Sequence, residues 1–167
     1  MIGSVFMLIG ILSDTHGRIG AAAAGIEALK AKGCEYFIHC GDVGSCDVLD
    51  CLAGLAAGFV FGNTDFDREE LRRYSADIGV RCLETGDVLE LDGKKLAVTH
   101  GDEVQILRRL LAGEPDYLLT GHTHVARDVK QGSTRWINPG ALHRAAVKSV
   151  AVLDLEKDEV EFLEIKV

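Results

Sequence analysis

An α/β fold with two β-sheets packed face to face and helices on the outside is what this 167-residue sequence predicts. Three observations carry it. Apolar strand-like runs and helix-spaced segments alternate from Leu8 to Phe61. The dipeptide Asp92-Gly93, the strongest short hairpin signal in the chain, sits between two further strand-like runs. The last third reads as successive short strands. A βαβαβ beginning implies parallel strands joined by right-handed crossovers, and the hairpins that follow supply a second sheet against which the first buries one face.

The elements follow in order. Leu8–Leu12 is an apolar run of buried-strand length. Ile19–Ala31 is alanine-rich, spaces Ile26 and Leu29 for one helix face, and is stopped by Gly33. Tyr36–His39 is a second strand, Cys46–Leu55 a helix and Gly58–Phe61 a third strand. Arg68–Tyr74 reads as a short helix. Val88–Leu91 and Lys95–Thr99 flank the Asp92-Gly93 turn, Glu103–Ala112 is a helix and Tyr117–Thr120 a strand. Four more strands are expected at Val125–Lys130, Thr134–Ile137, Val150–Asp154 and Glu161–Val167. No linker, repeat or low-complexity tract interrupts them, so residues 1–167 are read as one domain.

Composition narrows the function classes. Hydrophobic residues at 47% and charged residues at 26% are those of an ordinary soluble globular protein. A formal net charge of −8 opposes a broad nucleic-acid-binding face, though bound cations could reverse the field locally at a phosphate site. The five cysteines (Cys34, Cys40, Cys46, Cys51, Cys82) are odd in number and form no C-x-x-C, which points to reduced thiols in a cytoplasmic protein. The opening "MIGSVFMLIGIL" lacks a basic n-region and a small-residue cleavage site, so it is read as a first strand rather than a signal peptide. Met7 is then the expected natural start, with residues 1–6 a leader of no structural importance. No apolar run reaches the roughly 20 residues that span a bilayer.

Polar groups gather where the strands end. "SDTHG" brings Asp14 and His16, "CGDVG" brings Asp42, "FGNTD" brings Asn63 and Asp65, "VTHGD" brings His100, and "TGHTH" brings His122 and His124. Ligands of open α/β sheets collect outside the carboxyl ends of the strands, so these loops should converge on one rim. Gly17, Gly41, Gly62, Gly101 and Gly121 allow tight turns and close backbone approach there. One Asp-x-His or His-x-His alone would be weak evidence; four of the six histidines falling in such loops is not. Seven oxygen and imidazole donors with no thiolate exceed one tetrahedral zinc. They suit two ions of higher coordination, Mn²⁺ first, with Fe²⁺, Ni²⁺ or Zn²⁺ as alternatives. Asp42, the lone carboxylate of its loop, is the natural bridge.

The order Asp14-x-His16, Gly41-Asp42, Gly62-Asn63, His100-Gly101, Gly121-His122-x-His124 resembles the calcineurin-like metallophosphoesterases, from the first strand to about Gly140. The compact length and "NPG" at Asn138–Gly140 look like the small bacterial and archaeal phosphodiesterase branch. The resemblance implies a four-layer αββα sandwich. It places Asp14, His16, Asp42 and His124 on a first metal, and Asp42, Asn63, His100 and His122 on a second. It implies hydrolysis of a small phosphate ester, foremost a phosphodiester, by direct attack of a hydroxide bridging the two ions, with Asp42 and Asn63 as the residues closest to the chemistry. The pair His122 and His124 is thus expected to be split between the ions, both facing the rim as alternate residues of an extended segment. A scaffold of the same fold, used for protein–protein interaction, is the competing reading; the intact ligand loops oppose it. The composition leaves room for a homo-oligomer.

One departure matters. Many members of that family read G-N-H-[DE] at the third motif, and this chain reads Gly62-Asn63-Thr64-Asp65. A threonine is a poor general acid, so esters with poor leaving groups should turn over slowly. Asp102 is a weak substitute. Asp65 is read as a loop-stabilising acceptor and His39 as a structural residue at a strand end. Thr64, His143 and Arg144 are candidates for substrate contact, the last because guanidinium suits phosphate.

Overall fold

The computed structural model describes residues 7–167, so the expectation for residues 1–6 lies outside the described residues. The chain forms β1 (Leu8–Leu12), α1 (Ile19–Ala31), β2 (Tyr36–His39), α2 (Cys46–Asp50), β3 (Ala57–Phe59), α3 (Arg68–Ile78) and β4 (Arg81–Cys82). It continues with β5 (Gly86–Leu91), β6 (Lys94–Thr99), α4 (Val104–Ala112), β7 (Tyr117–Leu119), β8 (Arg127–Gln131), β9 (Thr134–Asn138), β10 (Ser149–Asp154) and β11 (Glu159–Glu164). Two mixed sheets result, ordered β11-β10-β1-β2-β3-β4 and β5-β6-β7-β9-β8. β1, β2 and β3 run parallel as the βαβαβ beginning requires, and β6 runs parallel to β7.

Strand alternation builds the layers. Ile9 and Ile11 of β1 point between the sheets with Ile38, Leu96, Val98 and Leu119, whereas Leu12, Phe37, Val150 and Val152 face α1, α2 and α3. On the second sheet, Ala97 and Leu118 turn the other way, toward Leu110 of α4. Three apolar clusters therefore fill the three interfaces of an αββα sandwich. Leu119 is fully buried between the sheets, so Leu119→Ala should cost about 2–5 kcal/mol of stability, read as a lowered urea midpoint at unchanged slope.

Several boundaries differ from the sequence reading, each for a local reason. α2 stops at Asp50 because the next amides, those of Cys51, Leu52 and Ala53, bond three residues back rather than four, tightening into turns. α3 runs on to Ile78, started by the Asp67 carboxylate accepting from Glu70 N–H and closed by Gly79 at φ 76°. The two-residue β4 was too short to carry a periodic signal. β8 begins at Arg127, not Val125, because the residues before it make a turn. No helix among the described residues is long and apolar enough to cross a membrane.

Candidate metal centre

The five loops that follow β1, β2, β3, β6 and β7 meet at one edge of the sandwich. Backbone bonds join them directly: Asp14 N–H donates to Gly41 O (3.0 Å), His16 N–H to Asp42 O (2.9 Å) and Gly121 N–H to His100 O (3.0 Å). Asp14, His16, Asp42, His122 and His124 all adopt left-handed backbone conformations, with φ between 46° and 69°. Such residues are uncommon and individually unfavourable, so their concentration here is strain held in place by surrounding structure, as at functional sites. Two glycines permit the approach for different reasons. Gly41 sits at φ +96°, and a Cβ on Gly62 would lie 2.1 Å from Asp42 Oδ1.

Two overlapping donor clusters result, one of Asp14, His16 and His124, the other of Asp14, Asp42 and His100. His124 Nε2 lies 3.1 Å from Asp14 Oδ1, and His16 Nε2 lies 3.8 Å from the same oxygen. Asp42 Oδ2 stands between two imidazoles, 3.6 Å from His16 Nε2 and 3.3 Å from His100 Nε2. Asn63 Oδ1 completes the second group, 3.1 Å from both His100 Nε2 and His122 Nδ1. All seven sequence-expected ligands are thus brought together. The fit to cations can be judged from the polar atoms alone. Asp14 Oδ1 and His16 Nε2 are buried without a hydrogen-bond partner, a costly arrangement that a divalent ion between them would satisfy.

Both carboxylates and three of the four imidazoles have their other face occupied. Asp14 Oδ2 accepts from Ser13 Oγ (2.6 Å) and His122 N–H (3.1 Å), and Asp42 Oδ1 accepts from Thr64 N–H (2.9 Å). Each carboxylate therefore presents one oxygen inward. His100 Nδ1 donates to Cys40 O (2.7 Å) and His124 Nδ1 to Arg144 O (3.2 Å), which turns both Nε2 atoms inward. His16 Nδ1 lies 3.5 Å from Thr64 Oγ1 with the same effect, while His122 offers Nδ1 instead. Oxygen partners on the far ring nitrogen fix tautomer and orientation in metal-binding histidines.

Electrostatics are frustrated without a cation. Burial pushes the Asp14 carboxyl up from its ordinary value. Burial acts the same way on Asp42, but hydrogen bonds from His100 and Thr64 outweigh it and hold that carboxyl well below the usual range. Burial would lower His100, yet its hydrogen bond to Asp42 and the charge of Asp14 raise it to about 9. A metal must displace that proton, so apparent affinity should climb with pH up to about 9, by roughly tenfold per unit for one proton released. Manganese titrations at several pH values check this, and a flat profile would contradict it.

The softer candidates resolve individually. Asp65 accepts from the N–H groups of Gly62 (2.8 Å), Gly44 (2.9 Å) and Val43 (3.2 Å), locking the second loop to the third. His39 accepts from Gly41 N–H and pairs through Nε2 with Thr15 Oγ1 (2.9 Å); burial lowers it to about 3, keeping it neutral. Arg144 brings its carbonyl rather than its exposed guanidinium to His124. The His143 ring lies 5.6 Å from that of His16, and Asp102 is half-buried ahead of α4. The geometry of His122-Thr123-His124 needs correction. The segment is a turn with both histidines left-handed and Thr123 N–H bonded to Gly121 O (2.8 Å), not an extended stretch. The two imidazoles diverge because of that turn, His122 toward Asn63 and His124 toward Asp14. Ser13 and Thr15, which carry the supporting hydrogen bonds, escaped the sequence reading. Their signal was being polar residues inside a run that continues a buried strand.

A two-sheet αββα sandwich with an Asp/His/Asn cluster at its strand ends defines a class. The family model for the calcineurin-like phosphoesterase superfamily domain matches residues 7–158, and the chain belongs to that superfamily. It is 31% identical over 159 residues to phosphodiesterase MJ0936 of Methanocaldococcus jannaschii, covering 92% of this chain and 96% of that one. A second protein of the same organism, probable metallophosphoesterase MJ0623, is 34% identical over 170 residues, covering 93% of this chain and 79% of that one. Among solved structures, a novel archaeal phosphodiesterase superposes with a TM-score of 0.86 at 28% identity, covering 95% of this chain and all of that one.

Proposed function

We propose that the chain hydrolyses phosphate esters, foremost phosphodiesters, at a pair of divalent ions, with Mn²⁺ the preferred metal. The observation that carries this is the position of Asp42 Oδ2 between His16 and His100, beside buried donors that lack partners. The relatives named phosphodiesterase and metallophosphoesterase support the reaction class. An all-oxygen-and-imidazole donor set supports a metal of the manganese type over thiolate-loving ions. Asp14, His16, Asp42 and His124 would hold one ion, and Asp42, Asn63, His100 and His122 the other. Ions bound there would offset phosphoryl charge and lower the pKa of water toward neutrality. With its amide oxygen turned to His100 and His122, Asn63 has its NH₂ free to donate to a phosphoryl oxygen. Thr64 orients His16 and offers no strong acid to the leaving group. Turnover should therefore fall steeply as the leaving group's pKa rises, and Thr64→His should flatten that slope; parallel slopes would show that position 64 has no part in protonating the leaving group. The five free cysteines support a cytoplasmic setting.

The test is hydrolysis of chromogenic diester and monoester substrates after chelation, after Mn²⁺ return, and in His122→Ala. Chelation should abolish activity and Mn²⁺ restore it. His122→Ala should lower diester turnover by on the order of 10²-fold or more. Metal-dependent activity untouched by that substitution would refute the site assignment, and inactivity with every metal and substrate would refute the enzymatic reading.

A further inference from the structure

The His124 ring has a second neighbourhood. It forms part of the lining of a cavity of about 490 Å³, together with Val125, Ala126, Ala145, Val147 and Phe162. The residues come from the loop after β7, the loop between β9 and β10, and the edge strand β11. Val125 is 64% exposed, Val147 58% and Phe162 38%, so three large apolar side chains lie open to solvent in one place. Exposed apolar side chains gathered into a concavity of this size make a candidate binding site.

Its polar members narrow the occupant. Ser149 Oγ is already donating to Pro139 O (2.7 Å), which leaves Glu164 as the charged group of the lining. A carboxylate with no cation among its neighbours in the lining disfavours a second anionic group. One side adjoins the metal centre, since the same His124 that walls the cavity points Nε2 at Asp14 Oδ1 (3.1 Å) while Arg144 O holds its Nδ1. We propose that this groove is the subsite for an uncharged, apolar ester arm of the phosphoester substrate, an aryl or similarly flat group. The inference rests on the phosphoesterase reading above and adds to it the kind of alcohol that the phosphate carries.

Calorimetric titration of the Mn²⁺-loaded full chain with phenylphosphonate and with methylphosphonate separates the two readings. The expected result is a preference for the phenyl compound of about tenfold, from burial of one ring. Val147→Asp, and independently Phe162→Ser, should bring the preference to near one. Equal affinities in the wild type overturn the groove and leave the phosphoesterase reading standing. Binding of neither phosphonate overturns that reading, and the subsite with it. Light scattering covers the remaining occupant. A dimer that Val147→Asp splits, with no phenyl preference, overturns the subsite in favour of a second copy of this chain.

Discussion

Asp42→Asn is expected to lower phosphodiester turnover by on the order of 10³-fold or more, because one charge serves both halves of the proposed centre. The substitution is nearly isosteric. Its amide oxygen can still accept from Thr64 N–H, which Asp42 Oδ1 does at 2.9 Å, so the loop should keep its shape. What disappears is the negative oxygen between His16 and His100. A second readout needs no metal. In the metal-free protein His100 stands at about 9 against an ordinary 6.5, raised by Asp42 and Asp14 against the pull of burial. Its stabilising contribution is complete below pH 6.5 and is lost as pH rises from there through about 9. Without the Asp42 charge, the His100 titration should drop toward or below its ordinary value and that window should close. Imidazole resonances followed by NMR, and urea midpoints between pH 6 and 9, report this directly. Turnover within tenfold of the wild type, or an unmoved His100, would deny Asp42 its central place.

The same residue shows why so much of the site was legible. Asp42, like Asp14, Asn63 and His100, follows an apolar run whose end is easy to find, and parallel strands send their carboxyl ends to one edge whatever the intervening helices do. The side chains therefore converge even where element lengths are misjudged, as with α2 and α3. What stayed hidden depends on local backbone geometry. Different partners for His122 and His124 were expected from an extended segment; what stayed hidden is the turn that supplies them, with two left-handed residues around Thr123, a conformation that neither alternation nor propensity encodes. Arg144 shows the same limit, since its identity points to a guanidinium contact while its own positive φ and carbonyl serve His124. Thr15 was hidden by its surroundings, since its hydroxyl reaches Val43 O only when the second loop is packed against the first, and Ser13 because nothing in its residue type shows that its hydroxyl turns to the neighbouring Asp14 carboxylate.

Gly62→Ala and Gly20→Ala should move stability in opposite directions, although each adds one methyl group. At Gly62 the new Cβ would lie 2.1 Å from Asp42 Oδ1 and 2.3 Å from Asp42 N. The first contact could be relieved by rotating the carboxylate, at the expense of the Thr64 bond. The second is with backbone and cannot. Overpacking of this kind costs about 1–3 kcal/mol and should here also displace the inward Asp42 oxygen, so manganese affinity falls with stability. At Gly20, in the first turn of α1, a Cβ meets nothing within 4 Å. Alanine there should stabilise by about 0.5–1 kcal/mol, chiefly by restricting the unfolded chain, and leave metal binding unchanged. Urea denaturation with parallel manganese titrations of both variants reads the contrast. If Gly62→Ala proves as harmless as Gly20→Ala, the second and third loops are not packed against one another as described, and the placement of Asp42 between the two histidines fails with them.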